Sequence, residues 1–112
     1  MAMYEMKLQP EPFAAMTSGT KMIESRLYDE KRKRIQLGDR ILFRNMANLN
    51  ESVMARVEGL LRYETFSMMF RDFPSSAFGD DSAERLEKQI YHFYSREDEA
   101  KYGVLGIRVS KC

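Results

Sequence analysis

A chain of 112 residues, 44% hydrophobic and 12% aromatic, can bury one substantial core; it is expected to be a single domain over residues 1–112, and intrinsic disorder is excluded. A formal net charge of +1 provides no overall field for nucleic acid, so any such role must rest on how the charges are distributed. One cysteine, at position 112, and one histidine exclude an intrachain disulfide and cysteine- or histidine-built metal sites, so neither a metal nor a cofactor is expected.

In chain order, MYEMKL alternates as a short strand, and QPEPFAAMTSG follows as a helix with prolines at its entry and Gly19 at its stop. TKMIESRLYD returns to a period of two, with Ile23, Ser25 and Leu27 on one face and Met22, Glu24, Arg26 and Tyr28 on the other. DEKRKRI predicts a single helical turn, LGD a tight turn, and RILFRNM a strand. NLNES is expected as a turn cluster before the longest strand, SVMARVEGLLRYE, where Gly59 marks a bulge or bend. TFSMMFRDF predicts a short amphipathic helix capped by Thr65, and PSSAFGDD a loop. Asp81 with Glu84 suggests a capping box for SAERLEKQIYHFY, whose Leu86, Ile90 and Phe93 form the expected buried stripe. Ser95 with Asp98 opens one more helical turn, and GVLGIRVSK closes the chain as a strand. Short joins between strands favour antiparallel pairing, so the expected fold is α+β: a small, curved barrel of mostly antiparallel strands with short flanking helices. The nine methionines are expected to fill core gaps, and His92 to be a partly buried structural residue.

No apolar run approaches membrane-spanning length and no signal-peptide core is present, so a cytoplasmic protein without a membrane partner is expected. The phosphate-binding loop, the dinucleotide glycine pattern, the metalloprotease helix and the nucleophile elbow are all missing. Charge is unevenly spread. Lys21, Arg26, Lys31, Arg32, Lys33, Arg34, Arg40 and Arg44 face only Glu24, Asp29, Glu30 and Asp39 within residues 21–44.

The segment Gly19-x-Lys21-x-x-Glu24-x-Arg26 resembles the signature of the ASCH (activating signal cointegrator homology) domain family, within the PUA-like superfamily. The resemblance continues through RLYDEKRKRIQLGDRILF, YETFSMMF and YSREDEAKYGVLGIRV, in the expected order and over almost the whole chain. It implies a PUA-like β-barrel with a cleft around Gly19, Lys21, Glu24 and Arg26, and RNA or a nucleotide as partner. Lys21 and Arg26 would contact phosphate or base, Glu24 would orient them or accept from a base amine, and Tyr28 would stack. Lys31, Arg32, Lys33 and Arg34 would form a nucleic-acid rim. The oligomeric state is left open between monomer and weak dimer.

The alternative implied by the family is a hydrolase acting on RNA or a modified nucleoside such as N4-acetylcytidine, with Lys21 and Glu24 as catalytic residues. Small bacterial ASCH amidohydrolases resemble this pattern with a lysine, a threonine and a later glutamate. Here Glu24 stands at the threonine's place, and Asp80, Asp81 and Glu84 are the candidates for the later acid. Alternation alone would put Lys21 on the face opposite Glu24 and Arg26, so a shared cleft requires Lys21 at the strand's mouth or a bulge.

Overall fold

Period-two segments pair into one five-stranded sheet in the computed structural model, which describes residues 1–112. The elements are β1 (Met3–Leu8), α1 (Pro10–Ser18), β2 (Ile23–Leu27), β3 (Arg40–Asn45), β4 (Asn48–Tyr63), α2 (Phe66–Asp72), α3 (Ala83–Phe93), α4 (Arg96–Tyr102) and β5 (Val104–Lys111). Single 3₁₀ turns lie at Arg32–Arg34 and Ser75–Phe78. The strand order is β1-β3-β4-β5-β2; β1 and β3 are parallel and every other pair is antiparallel. The sheet curls into a half-barrel with helices around it, an α+β arrangement of the PUA-like kind, open between its edge strands β1 and β2.

Curvature comes from β4, which is 16 residues long and pairs with β3 through its first part and with β5 through its last. The register steps from Val57 opposite Val109 to Gly59 opposite Arg108, so Glu58 is the extra residue of a bulge. A side chain at Gly59 would crowd Arg108, its Cβ falling 3.3 Å from that of the arginine, which explains glycine beside the bend.

The sheet separates two apolar clusters. On one side Ile41, Phe43, Ala55, Val57, Leu105 and Ile107 pack with Phe13 and Met16 of α1. On the other, Ile23, Leu27 and Val104 pack with Phe66, Met69 and Phe70 of α2 and Leu86 of α3. α2 approaches β5 closely because position 106 has no side chain; a Cβ there would lie 2.6 Å from Met69 Sδ. Glu99 of α4 is buried as well, accepting from the Phe66 backbone N–H at 2.8 Å and the Tyr91 hydroxyl at 2.6 Å, so its carboxylate caps α2.

Several local expectations are corrected. NLNES belongs to β4, and the turn is the shorter Met46–Ala47, because Asn45 already pairs with Asn48. Ser82, not Asp81, caps α3, its hydroxyl accepting from Arg85 N–H at 3.3 Å, while Thr65 and Ser95 cap as expected. Leu86 is buried and Ile90 half-buried, but Phe93 is 63% exposed. His92 is exposed too. Met6, Met16 and Met69 fill core space, whereas Met1, Met3, Met22, Met46 and Met68 are exposed.

Gly106→Ala should force Met69, which is fully buried, out of its packed position. The expected loss is about 1–3 kcal/mol in urea-induced unfolding, as for other overpacked cores. An unchanged midpoint would show that α2 can retreat from the sheet freely.

Candidate functional site

The segment Thr20–Met22 links α1 to β2 and lies outside the strand. Lys21 therefore sits at the mouth of β2, freed from the strand's alternation, and turns inward to be only 6% exposed. Its Nζ donates to the Ile23 carbonyl at 3.0 Å and the Phe78 carbonyl at 3.0 Å, and lies 3.1 Å from Glu24 Oε1. Glu24 Oε2 accepts from Arg26 Nε at 2.7 Å. Arg26 Nη2 donates across the open edge to the Lys7 carbonyl of β1 at 3.1 Å. The signature residues thus form one buried chain of charges, cation–anion–cation, running from the Ser75–Phe78 turn through β2 to β1.

Gly79 makes this possible. Its φ of 88° is left-handed, and a Cβ there would fall 3.2 Å from Lys21 Cδ and 3.3 Å from Ala15 Cβ. Glycine here both turns the chain and leaves the corridor the lysine occupies.

Burial by itself would push the Glu24 carboxyl up. The Lys21 and Arg26 charges and their hydrogen bonds outweigh it and hold the group below its ordinary value, so Glu24 is ionised at neutral pH. For Arg26, burial opposes the charge, but the Glu24 carboxylate and then the Tyr94 hydroxyl raise its affinity for the proton further.

A cleft of about 420 Å³ opens beside this chain. Lys7, Leu8 and Gln9 from the β1 edge, Glu24, Ser25 and Arg26 from β2, and Gln89, Ile90, Phe93 and Tyr94 from α3 and its end form three of its sides. Phe70, Phe78, Gly79 and Asp80 line it too. Lys7, Lys21 and Arg26 are matched by Glu11, Glu24 and Asp80, so the lining carries no net charge.

Of the residues anticipated from sequence, Lys21, Glu24 and Arg26 meet at this cleft. Gly19 ends α1 in a left-handed cap and is not part of the lining. Tyr28 packs instead on the sheet's first apolar cluster, beneath the Arg62 guanidinium. The basic run lies on the 3₁₀ turn away from the lining, where Arg32 pairs with Asp29 and Lys33 with Glu30. Among the later acids, Asp80 lines the cleft, while Asp81 and Glu84 do not. Sequence reasoning missed Gln9, Gln89 and Tyr94. Their only signal was position: Gln89 and Tyr94 continue the helix stripe of Leu86 and Ile90, and Gln9 follows β1.

Removing one member of a buried ion pair strands the others, at a typical cost of about 3–5 kcal/mol. Glu24→Ala should lower stability in urea by that amount. Because folding lowers the Glu24 pKa, its contribution is fully present above the ordinary carboxyl value and is lost as pH falls through the depressed folded value. Glu24→Gln should therefore be less stable than wild type at neutral pH, with the two curves converging in acid. A gap that stays constant over that range would show that the carboxylate's charge is not what matters.

The sequence matches the ASCH domain family over residues 6–112. A crystal structure of the hypothetical protein PH0355 superposes with a TM-score of 0.85 at 35% identity, covering 98% of this chain and 99% of that one. The solution structure of protein PF0455 from Pyrococcus furiosus gives 0.74 at 32% identity, covering 97% and 96%. The ASCH domain from Lactobacillus crispatus shares the fold, with a TM-score of 0.66 at 15% identity and 98% and 79% of the two chains covered. No curated protein matches the sequence significantly. No helix is long and apolar enough to cross a membrane. The chain belongs to the ASCH domain family, a PUA-like family generally associated with RNA binding.

Proposed function

We propose that the cleft binds RNA by taking up one nucleotide, with the base stacked on Phe93 beside Arg26. The observation that carries this reading is the difference in spare donors along the buried charge chain. Lys21 has three N–H donors, all directed at the Ile23 and Phe78 carbonyls and Glu24. Arg26 has five, of which Glu24 and the Lys7 carbonyl take two and the Tyr94 hydroxyl engages a third. Arg26 alone can donate to a ligand without dismantling the chain, and Glu24 fixes the plane in which it does so.

The rest of the lining suits a base better than a bare phosphate. Phe93 and Tyr94 offer flat apolar faces, and Gln9 and Gln89 offer paired donors and acceptors of the kind that read base edges. The balance of acids and bases gives no special attraction for a polyanion. A volume near 420 Å³ lies in the range of small-molecule pockets and is suited to one nucleoside, not to a duplex.

Hydrolysis through Lys21 and Glu24 is less well supported. A lysine with every N–H engaged must give up at least one of these bonds before it reacts, and a carboxyl held below its ordinary value is a weak general base. Of the later acids only Asp80 lines the cleft, and it is occupied by the Asp81 backbone N–H at 2.7 Å and lies 3.7 Å from Arg85.

Phe93 is exposed, so Phe93→Ala should leave the fold intact and weaken nucleoside binding by about 1–3 kcal/mol as its stacking surface is removed. Arg26→Lys, which keeps the charge but loses the planar fork, should weaken it as well. Titration calorimetry with the four ribonucleosides and with N4-acetylcytidine reads both effects. Equal affinities for wild type and both variants would overturn the proposal, and turnover of N4-acetylcytidine that disappears in Lys21→Met would favour the hydrolase instead.

A further inference from the structure

Beyond the cleft, two cations meet at one ring and three more lie in the adjoining segment Lys31–Arg34, with few carboxylates to neutralise them. The Arg62 guanidinium on β4 stacks over Tyr28 with its carbon 3.3 Å from the ring centre, and Lys33 Nζ lies 5.6 Å from the same centre. Arg62 is exposed and has no carboxylate within ion-pair distance. Lys33 is paired only with Glu30, whose side chain is 87% exposed. In the same turn, Arg32 gives Nη1 to Asp29, while its Nε–H is buried without any partner. Lys31 precedes the turn and Arg34 ends it, both exposed and free of ion pairs. Five cations therefore share this end of the half-barrel with Asp29 and Glu30.

Like charges gathered on one ring repel unless an anion joins them. The ring's face offsets part of that cost for Arg62. It also holds the guanidinium flat and leaves its edge donors in solvent, an arrangement suited to phosphate oxygens. Tyr28 is itself fixed from below by the first apolar cluster and by its backbone N–H, which donates to the Gly103 carbonyl at 2.9 Å. The platform is rigid.

We infer that Tyr28, Arg62, Lys33 and the flanking Lys31 and Arg34 form a second site, a surface that holds the phosphodiester backbone of single-stranded RNA. Tyr4 of β1, whose hydroxyl donates to the Arg34 carbonyl at 3.0 Å, packs on the same cluster as Tyr28. Tyr28 follows Arg26 by two residues, about 7 Å of extended chain, on the order of one nucleotide step. A strand whose base enters the cleft would thus carry a neighbouring phosphate to this surface. The placement along one strand rests on the cleft reading; the anion site itself does not.

The test compares a short single-stranded oligouridylate with uridine as probes, across a salt series. Arg62→Glu, Lys33→Glu and the pair together are exposed-side changes expected to leave the fold intact. Each should weaken oligouridylate binding and reduce the slope of log affinity against log salt by about 0.7 for every phosphate no longer neutralised, while uridine binding stays as in wild type. Arg62→Lys should restore part of the slope. Oligouridylate affinity and slope unchanged in the double variant would overturn the surface, whether or not uridine binds. A reduced slope in the variants with no uridine binding by any of the proteins would support the surface and overturn the cleft reading alone.

Discussion

Three charges withdrawn from water hold the functional half of this molecule in register. Lys21, Glu24 and Arg26 come from a linker and an edge strand, yet their partners lie on the Ser75–Phe78 turn and on β1 at the far edge of the sheet. Desolvating such a chain is costly, and its attraction does little more than offset that cost. Its effect is therefore on geometry more than on net stability. Every carboxylate oxygen is matched to a cation, the ammonium is saturated by carbonyls, and the guanidinium is left with one orientation. A ligand group arriving at Arg26 meets donors already set in place, so less ordering entropy is given up on binding.

The same chain divides the electrostatics of the molecule. Inside the cleft, acids and bases cancel, so recognition there depends on shape, stacking and hydrogen-bond pattern. At the end of the half-barrel that carries Tyr28, cations outnumber acids and several are unpaired. The two proposed sites would thereby divide long-range attraction from local readout, which is how proteins commonly treat phosphates and bases. A net charge of +1 conceals this, because residues 80–101, with seven acids against four bases, offset the basic turn.

Most of the element order was legible because period-two alternation, proline entries, glycine stops and serine or threonine caps each act locally. The bulge at Gly59 could be anticipated from glycine breaking a strand pattern. What failed were features decided by tertiary pairing. Asn48–Ser52 looks like a turn in sequence, but pairing with β3 draws these polar residues into a strand whose side chains face solvent. Phe93 completes an apolar stripe in sequence, yet the stripe outruns the core and its last ring reaches the cleft rim. Alternation set Lys21 against Glu24, and only the linker's departure from the strand unites them. Tyr28 does lie on the face of Glu24 and Arg26, with Leu105 and Ile107 of the first cluster, but it packs beneath Arg62 and takes no part in the cleft lining.

The open edge explains why a site exists here at all. Were β1 and β2 joined by a backbone ladder, the barrel would close and the space now lined by Lys7, Gln9, Ser25 and Arg26 would be filled by paired strands. Leaving the edges apart exposes unpaired backbone groups, which favour edge-to-edge association. One side chain spans the gap in place of a ladder. By donating to the Lys7 carbonyl while bound to Glu24, Arg26 ties the two edges together and still leaves room for a planar ligand beside it. The residue that holds the half-barrel's edges is thus the one with donors to spare, and under the proposed reading structural and recognition roles fall on a single guanidinium because a five-donor fork can fill both.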